Sequence, residues 1–393
     1  MWWKLSGNRT TATTELEAAE ATLRRNDPVA ARTRLDLILT ATPDNPQALL
    51  LAAKAARRCD DYAAGERHLT AFERTAGASD ASRLEWTLLG VQQADFGDDE
   101  ERLRVMLGRQ HPDESGILEA LAKGLAAAHR WPEVMAVLDR LLKRDPDHVP
   151  GLVSRAVVAE RFRRHEAAEE DLRQAVGVAP ENALAHAALA GHLNHRGLTR
   201  EAIHHYERAL QLRPTDHGAR IGFARALTDA AKLTDADRHL TTSTDDPACL
   251  VERGRVLLRL NRTADAEVQL EKATRVAPWH RDAHKLRLLA AKELRRAEVV
   301  KQCEAKIAEL TLEDAVLGKL TLKARDTPGD AAVRMTLWEW AKRNGQPEEE
   351  VAWLAEILRD SPKHPAAHAA FADYFDRTGQ PRRAALHRAA AQE

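Results

Sequence analysis

The constraint that most limits this chain is the spacing of its prolines. Pro112, Pro146, Pro180 and Pro214 are each 34 residues apart, and so are Pro328 and Pro362. Pro43 precedes Pro112 by 69 residues, close to two such steps. A fixed period of this length is the mark of a helix-turn-helix array and settles the architecture before any local reading. Each proline removes an N–H and drives the residue before it out of the helical region, so each marks a helix end. "DPDH", "APEN" and "RPTDH" supply turn and N-cap residues at these points.

Between prolines the apolar residues fall three and four apart. In "ENALAHAALAGHLNHRGLTREAIHHYERALQLRP", Leu189, Ala190 and Leu193 form one stripe, and Ala202, Tyr206 and Ala209 form another. Gly197 separates them as a helix stop. Small residues at Ala190, Ala202 and Ala209 let helices approach closely, and Tyr206 fills the gap between them. Aromatics are only 4% of the chain, which suits many small, closely packed helices.

These residues resemble the tetratricopeptide repeat (TPR) family. The match is carried by Leu189-Ala190, Leu193, Ala202, Tyr206, Ala209 and Pro214. It recurs at Ala156, Ala159, Ala168, Leu172, Ala175 and Pro180, and at Gly254, Leu257, Ala266, Leu270, Ala273 and Pro278. Weaker units stay in phase elsewhere, giving about eleven in all. The expected fold is all-α, a right-handed α-solenoid of TPR-like helix pairs with an irregularity near 310–330. The layout also resembles large uncharacterised bacterial repeat proteins of the planctomycete type. Many of those begin with a membrane anchor.

Two departures from the period carry structural expectations. Ala236 and Ala266 are 30 residues apart, so "HLTTSTDDPACL" is a shortened second helix or turn. Pro278 and Pro328 are 50 apart, so "LEDAVLGKLTLKARD" is an additional single helix after a pair over 281–310. The expected organisation is an N-terminal segment over 1–11, disordered or next to an anchor; a main solenoid over 12–310; a junction over 311–327; and a C-terminal repeat pair over 328–393.

Lys and Arg total 59 against 60 for Asp and Glu, a balance that argues against general nucleic-acid binding. No run of about 18 apolar residues spans a membrane, and "MWWKLSGNRT" has no secretory h-region. Trp2 and Trp3 beside Lys4 suit either a docked terminus or the tail of an interfacial anchor. The localisation expected is cytoplasmic, with membrane anchoring in the envelope as the alternative. Cys59, Cys249 and Cys303 are far apart and odd in number, so they read as free buried thiols.

No GxGxxG, P-loop, GxSxG or HExxH motif is present, so no enzyme and no cofactor is expected. His186, His192, His195, His204 and His205 could bring imidazoles to one metal across a helix pair, although helix ends carry such histidines for other reasons. Paired acids in "EEDLR" and "PEEEVAW" look like solvated helix faces. Trp338, Trp340 and Trp353 read as core. Asn8-Arg9-Thr10 and Asn261-Arg262-Thr263 match the glycosylation sequon, a pattern too short to weigh much.

What remains is surface. The resemblance implies that positions 2, 5, 9, 12 and 13 of each unit face a concave groove. Carried over, it places Arg225, Arg255, Arg259, Lys285 and Lys292 there, a basic strip suited to a carboxylate or an acidic peptide and diluted by Asp229, Asp282 and Glu293. Lys54, Arg57 and Arg58 form a second strip. The carboxylate clamp of chaperone-binding relatives is absent, because Ala187, Ala188 and Gly191 stand at its positions. The function expected is a non-enzymatic scaffold binding a protein or peptide partner. The alternatives are a regulatory or substrate-presenting subunit of an enzyme complex, and a small-molecule or metal-binding solenoid.

Overall fold

The computed structural model describes residues 14–241 and 246–392. The N-terminal tryptophans, the first sequon and part of the 241–249 stretch lie outside the described residues. Twenty-two helices and no strand are present among those described. They pack pairwise as a TPR-like helical repeat solenoid of about eleven pairs. No helix among the described residues is long and apolar enough to cross a membrane.

Residues 149–323 form one compact unit, and the described residues before and after them form the other. The first unit holds α1 (14–24), α2 (Pro28–Ala41), α3 (Pro46–Arg58), α4 (Tyr62–Ala76), α5 (Asp80–Val91), α6 (Asp99–Gly108), α7 (Glu114–Ala127) and α8 (Trp131–Arg144). It also holds α19 (Ala331–Arg343), α20 (Pro347–Asp360), α21 (Pro365–Arg377) and α22 (Pro381–Ala390). The second unit contains α9 (Val149–Arg161), α10 (His165–Val178), α11 (Ala183–His195), α12 (Thr199–Leu212), α13 (His217–Asp229) and α14 (Leu233–Leu240). It continues through α15 (Pro247–Arg259), α16 (Thr263–Val276) and α17 (Arg281–Glu293) into α18 (Ala297–Asp326), whose last residues belong to the first unit. This division differs from the expected one: the C-terminal pair joins the N-terminal repeats instead of standing beyond a junction.

The period is written into the backbone as well as the sequence. One residue in each turn between first and second helix adopts positive φ: Asn26, Asp60, Ala94, His129, Arg163, Gly197, Ala231, Asn261 and Arg295, then Gly345 and Gly379. The next N–H reaches back five residues, as in Leu198 N to Leu193 O at 2.8 Å and Arg164 N to Ala159 O at 2.9 Å. This is the Schellman closure, which satisfies helix-end carbonyls. Only three of these eleven positions are glycine, so most turns hold a side chain in a conformation that favours glycine.

A second device recurs at the start of first helices. Six residues after the turn proline, a side-chain nitrogen donates to that proline's carbonyl. His186 Nε2 does so to Pro180 at 3.0 Å, His284 to Pro278 at 3.0 Å and His368 to Pro362 at 2.8 Å. Arg220 reaches Pro214 and Arg334 reaches Pro328 in the same way.

The two departures from the period are visible. α14 has 8 residues where α12 and α16 have 14, which absorbs the 30-residue step. The 50-residue step is taken up by one continuous 30-residue helix, α18, where a helix pair followed by a separate helix was expected. Between 297 and 326 there is no proline and Gly318 is the only glycine, so nothing stops propagation.

In the first unit, α22 docks on α4 and α5 through buried polar groups. Gln93 and Gln380 exchange amide hydrogen bonds at 2.9 and 2.7 Å. Gln380 stands at the N-cap of α22 yet makes no cap bond. The Arg382 N–H is instead accepted by Glu66 of α4 at 2.6 Å, so a residue far away in sequence caps this helix. Arg383 pairs with Asp95 and donates to the Trp86 carbonyl at 3.0 Å, and His387 lies 3.2 Å from Asp95. Burial opposes the charge on Asp95, but Arg383 and His387 outweigh it and hold its carboxyl well below the usual range. Ala94 and Ala128 complete the apolar side of the joint with Phe371 and Phe375.

Two substitutions test these readings. Ala231→Gly removes a Cβ from a left-handed turn and should stabilise the chain by about 1 kcal/mol, read as a higher denaturation midpoint. A Cβ at Gly90 would sit 1.8 Å from an Arg383 guanidinium nitrogen. Gly90→Ala should therefore expel Arg383, cost about 1–3 kcal/mol, and make a further Arg383→Ala change nearly silent in a double-mutant cycle.

Candidate partner-binding face

In the second unit, α13 and α15 are consecutive first helices. Regular helical φ/ψ over 13 residues each places Arg225 and Arg255 on the same side of their respective helices. Between them lies Glu252, whose side chain is 2% exposed. Arg225 Nε donates to Glu252 Oε2 at 3.0 Å, and Arg255 Nε lies 3.6 Å from the same carboxylate. The two guanidinium side chains remain 58% and 42% exposed. One buried carboxylate thus holds Arg225 by a hydrogen bond, draws Arg255 as an ion pair and can neutralise only one of the two. Arg259 adds a third, donating through Nη1 to the Thr228 carbonyl at 3.3 Å.

The floor beside Arg225 is shaped by Tyr206. Its hydroxyl lies against Gly222 of α13, where a Cβ would sit 2.2 Å from the oxygen, and 3.5 Å from the same point at Gly191 of α11. Burial pushes the Tyr206 phenol up to about 12, with Arg225 pulling weakly the other way, so the hydroxyl stays a neutral group. Glu252 and the Tyr206 hydroxyl were not picked out by sequence reading. Glu252 sits one turn before Arg255 in "LVERGRV", the signal that an acid pins the arginine.

The two lysines do not join this group as strongly. Lys285 pairs with Asp282 at 3.8 Å, and Lys292 with Glu304 at 2.9 Å. Of the diluting acids, Asp229 accepts from Asn194 at 3.3 Å.

The five histidines disperse. His186 and His205 face each other through Nδ1 at 2.9 Å. His192 turns to Glu160 at 2.7 Å, and His195 and His204 are exposed. No group of three or more metal-ligating side chains stands together among the described residues. His186 spends its other nitrogen on the Pro180 carbonyl, the repeat device described above. Arg173 bridges Glu169 and Glu201 on an open helix face. Trp338 is buried and Trp353 packs beside it in one apolar cluster, while Trp340 is half-buried. Cys249 and Cys303 are buried and Cys59 is half-buried, and none of the three joins a disulfide. Asn261 of the second sequon is a left-handed turn residue.

Lys54, Arg57 and Arg58 lie in the first unit, on the wall of a cleft of about 510 Å³ that also includes Asp113, Glu119 and His148. They form a bracing network instead of an open strip. Arg57 is buried and donates to Glu85 and Gln92, each at 2.9 Å. Arg58 holds Glu119 at 2.9 Å, Asn26 at 2.6 Å and the Leu23 carbonyl at 2.8 Å, tying α1 to α3 and α7. Lys54 stands 3.6 Å from Asp113. Burial works against the Glu119 carboxylate, but Arg58, Lys123 and Arg57 prevail and hold it at about 2. Burial pushes the His148 imidazole down.

No family model matches the chain. It is 38% identical over 78 residues to the uncharacterised protein y4yS of Sinorhizobium fredii, a match over 20% of this chain and 43% of that one. The chain thus spans less than half the length of that relative. Among solved structures it is similar to PilW, described as a widely conserved type IV pilus biogenesis factor. The identity is 21% and the TM-score 0.46, over 49% of this chain and 91% of that one. It is also similar to a tetratricopeptide repeat protein from Parabacteroides merdae, at 16% identity and a TM-score of 0.38 over 72% and 99% of the respective chains.

The folded pKa of Glu119 lies below its ordinary 4.5, so its stabilisation is present above that value and lost as pH falls toward 2. Glu119→Gln should cost about 3 kcal/mol near neutrality. The gap to wild type should close between those two pH values in denaturant titrations.

Proposed function

We propose that this protein is a non-enzymatic interaction scaffold that binds an acidic peptide segment of a partner across the first helices of the second unit. The observation that carries the reading is the pair Arg225 and Arg255, half-exposed over a single buried acid, Glu252. One carboxylate against two guanidinium groups leaves a net positive charge, and its hydrogen bond holds Arg225 in place. A carboxylate entering beside them meets pre-oriented donors and loses little side-chain entropy. Arg259 extends the set by one helical turn, and Lys285 and Lys292 continue it on α17. Gly222 makes room for the Tyr206 hydroxyl, which closes the floor beside Arg225 as a neutral polar group.

The test uses fluorescent decapeptides rich in Glu and Asp, with neutral and basic decapeptides as controls. Acidic peptides should bind selectively, and more weakly as salt rises, because exposed charges are screened beyond about 8–10 Å. The Arg225→Ala, Arg255→Ala, Arg259→Ala variant should lose at least about tenfold in affinity, since each charge-assisted hydrogen bond contributes about 1.5–3 kcal/mol. Equal binding of neutral peptides, or an unchanged affinity in the folded triple variant, overturns the reading.

A further inference from the structure

Every named helix buries at least two residues, α18 through Cys303, Leu310 and Ala324. The stretch 311–323 of α18 buries none. It is nevertheless rich in apolar side chains: Leu312 is 70% exposed, Val316 and Leu322 are about half-exposed, and Leu317 and Leu320 are only half-covered. In a helical repeat each helix normally meets neighbours on two sides. This one has 30 residues where an ordinary second helix has 14, and between Leu310 and Ala324 it buries no residue. An apolar helix in this condition marks an interaction surface.

The charge pattern of the stretch names its occupant. Acids stand at its start, Glu309, Glu313 and Asp314; bases stand at its end, Lys319, Lys323 and Arg325. At about 100° per residue, Glu309, Leu312, Val316, Leu320 and Lys323 fall within an arc of about 80°. Read backwards, that stripe is its own complement. We propose that this stripe pairs with the same stripe of a second copy, antiparallel, across a two-fold axis at Val316. Val316 then meets the second Val316, Leu312 meets Leu320, and Glu309 meets Lys323, twice over. A parallel pair would instead set Glu309 against Glu309 and Lys323 against Lys323. An isologous interface has this self-complementarity. The stripe is about 22 Å long, so its area is below the roughly 1,200 Å² of a stable complex and the dimer is a weak one.

Sedimentation of the full chain from about 1 µM to a few hundred µM, the range expected for a small interface, should show monomer passing to dimer. Leu312→Glu and Val316→Glu, both at exposed positions, should keep the helical circular dichroism and shift the midpoint upward by at least about tenfold, as expected for residues central to an interface. Glu309→Lys should weaken the dimer, and adding Lys323→Glu should restore it. Oxidised Val316→Cys should form a disulfide-linked dimer that wild type, with its Cys59, Cys249 and Cys303, does not. Leu312→Cys should not, because its two copies would stand about 12 Å apart. A chain that stays monomeric throughout, a dimer indifferent to Leu312→Glu, or a Leu312→Cys crosslink as efficient as Val316→Cys each overturns the proposal.

Discussion

The structure depends on one backbone event repeated along the chain: the left-handed residue that ends each first helix. It lets the N–H that follows close a bond five residues back. It also reverses the chain within three residues, so the second helix returns against the first. Because the reversal is so tight, the facing residues must be small, and Ala156, Ala190 and Ala224 are fully buried or nearly so on first helices opposite Ala168, Ala202 and Ala236. The 34-residue period of the turn residue therefore sets both the register of the helices and the volume of the core. Where the step shortens to 30, the loss falls on α14, since the turn itself has no residue to spare.

A solenoid made this way has little interior, and its polar groups must be satisfied locally. The nitrogen donors on turn-proline carbonyls do that at five repeats with two residue types, histidine and arginine. The first unit adds buried ion pairs, Arg57 with Glu85 and Arg383 with Asp95. Such pairs contribute modest net stability but penalise any arrangement that separates them. They specify which helix faces meet. The docking of α22 uses this specificity: an amide pair, an arginine seated over a glycine and a cap provided by Glu66 define one register where an apolar contact would allow several.

Sequence periodicity carried the helix pairs, the shortened repeat and the small residues at helix contacts, because each follows from spacing alone. It carried Gly197 as a turn stop but not Arg163, Ala231 or Arg295, since only glycine advertises positive φ. It marked the 50-residue step without its form, because an extra helix and a lengthened one have the same spacing, and only the missing breaker favours the second. It named Arg225 on α13 and Arg255 and Arg259 on α15, but not the buried Glu252 that lies against two of them. Lys54, Arg57 and Arg58 read the same way in sequence and came out differently. Their neighbours, Glu85 and Glu119, lie on helices too distant in sequence for any pattern to pair. The contact of α22 with α4 was beyond reach for the same reason: nothing local in "QPRRAAL" shows that its cap lies at Glu66.

The contrast between these two arginine groups bears on where the proposed recognition site would lie. In the first unit each cation has its own acid, and Arg57 and Arg58 are enclosed, so a ligand carboxylate would have to displace a partner already desolvated. That exchange gains little, because both states bury one pair. In the second unit two guanidinium groups share one carboxylate and remain half in water. In the proposed reading a second carboxylate there would complete a four-charge cluster without breaking the first pair. The balance of charge over the whole chain hides this difference. It is the local ratio of cations to acids, and the exposure of the cations, that separates the bracing network from the group proposed to receive a ligand.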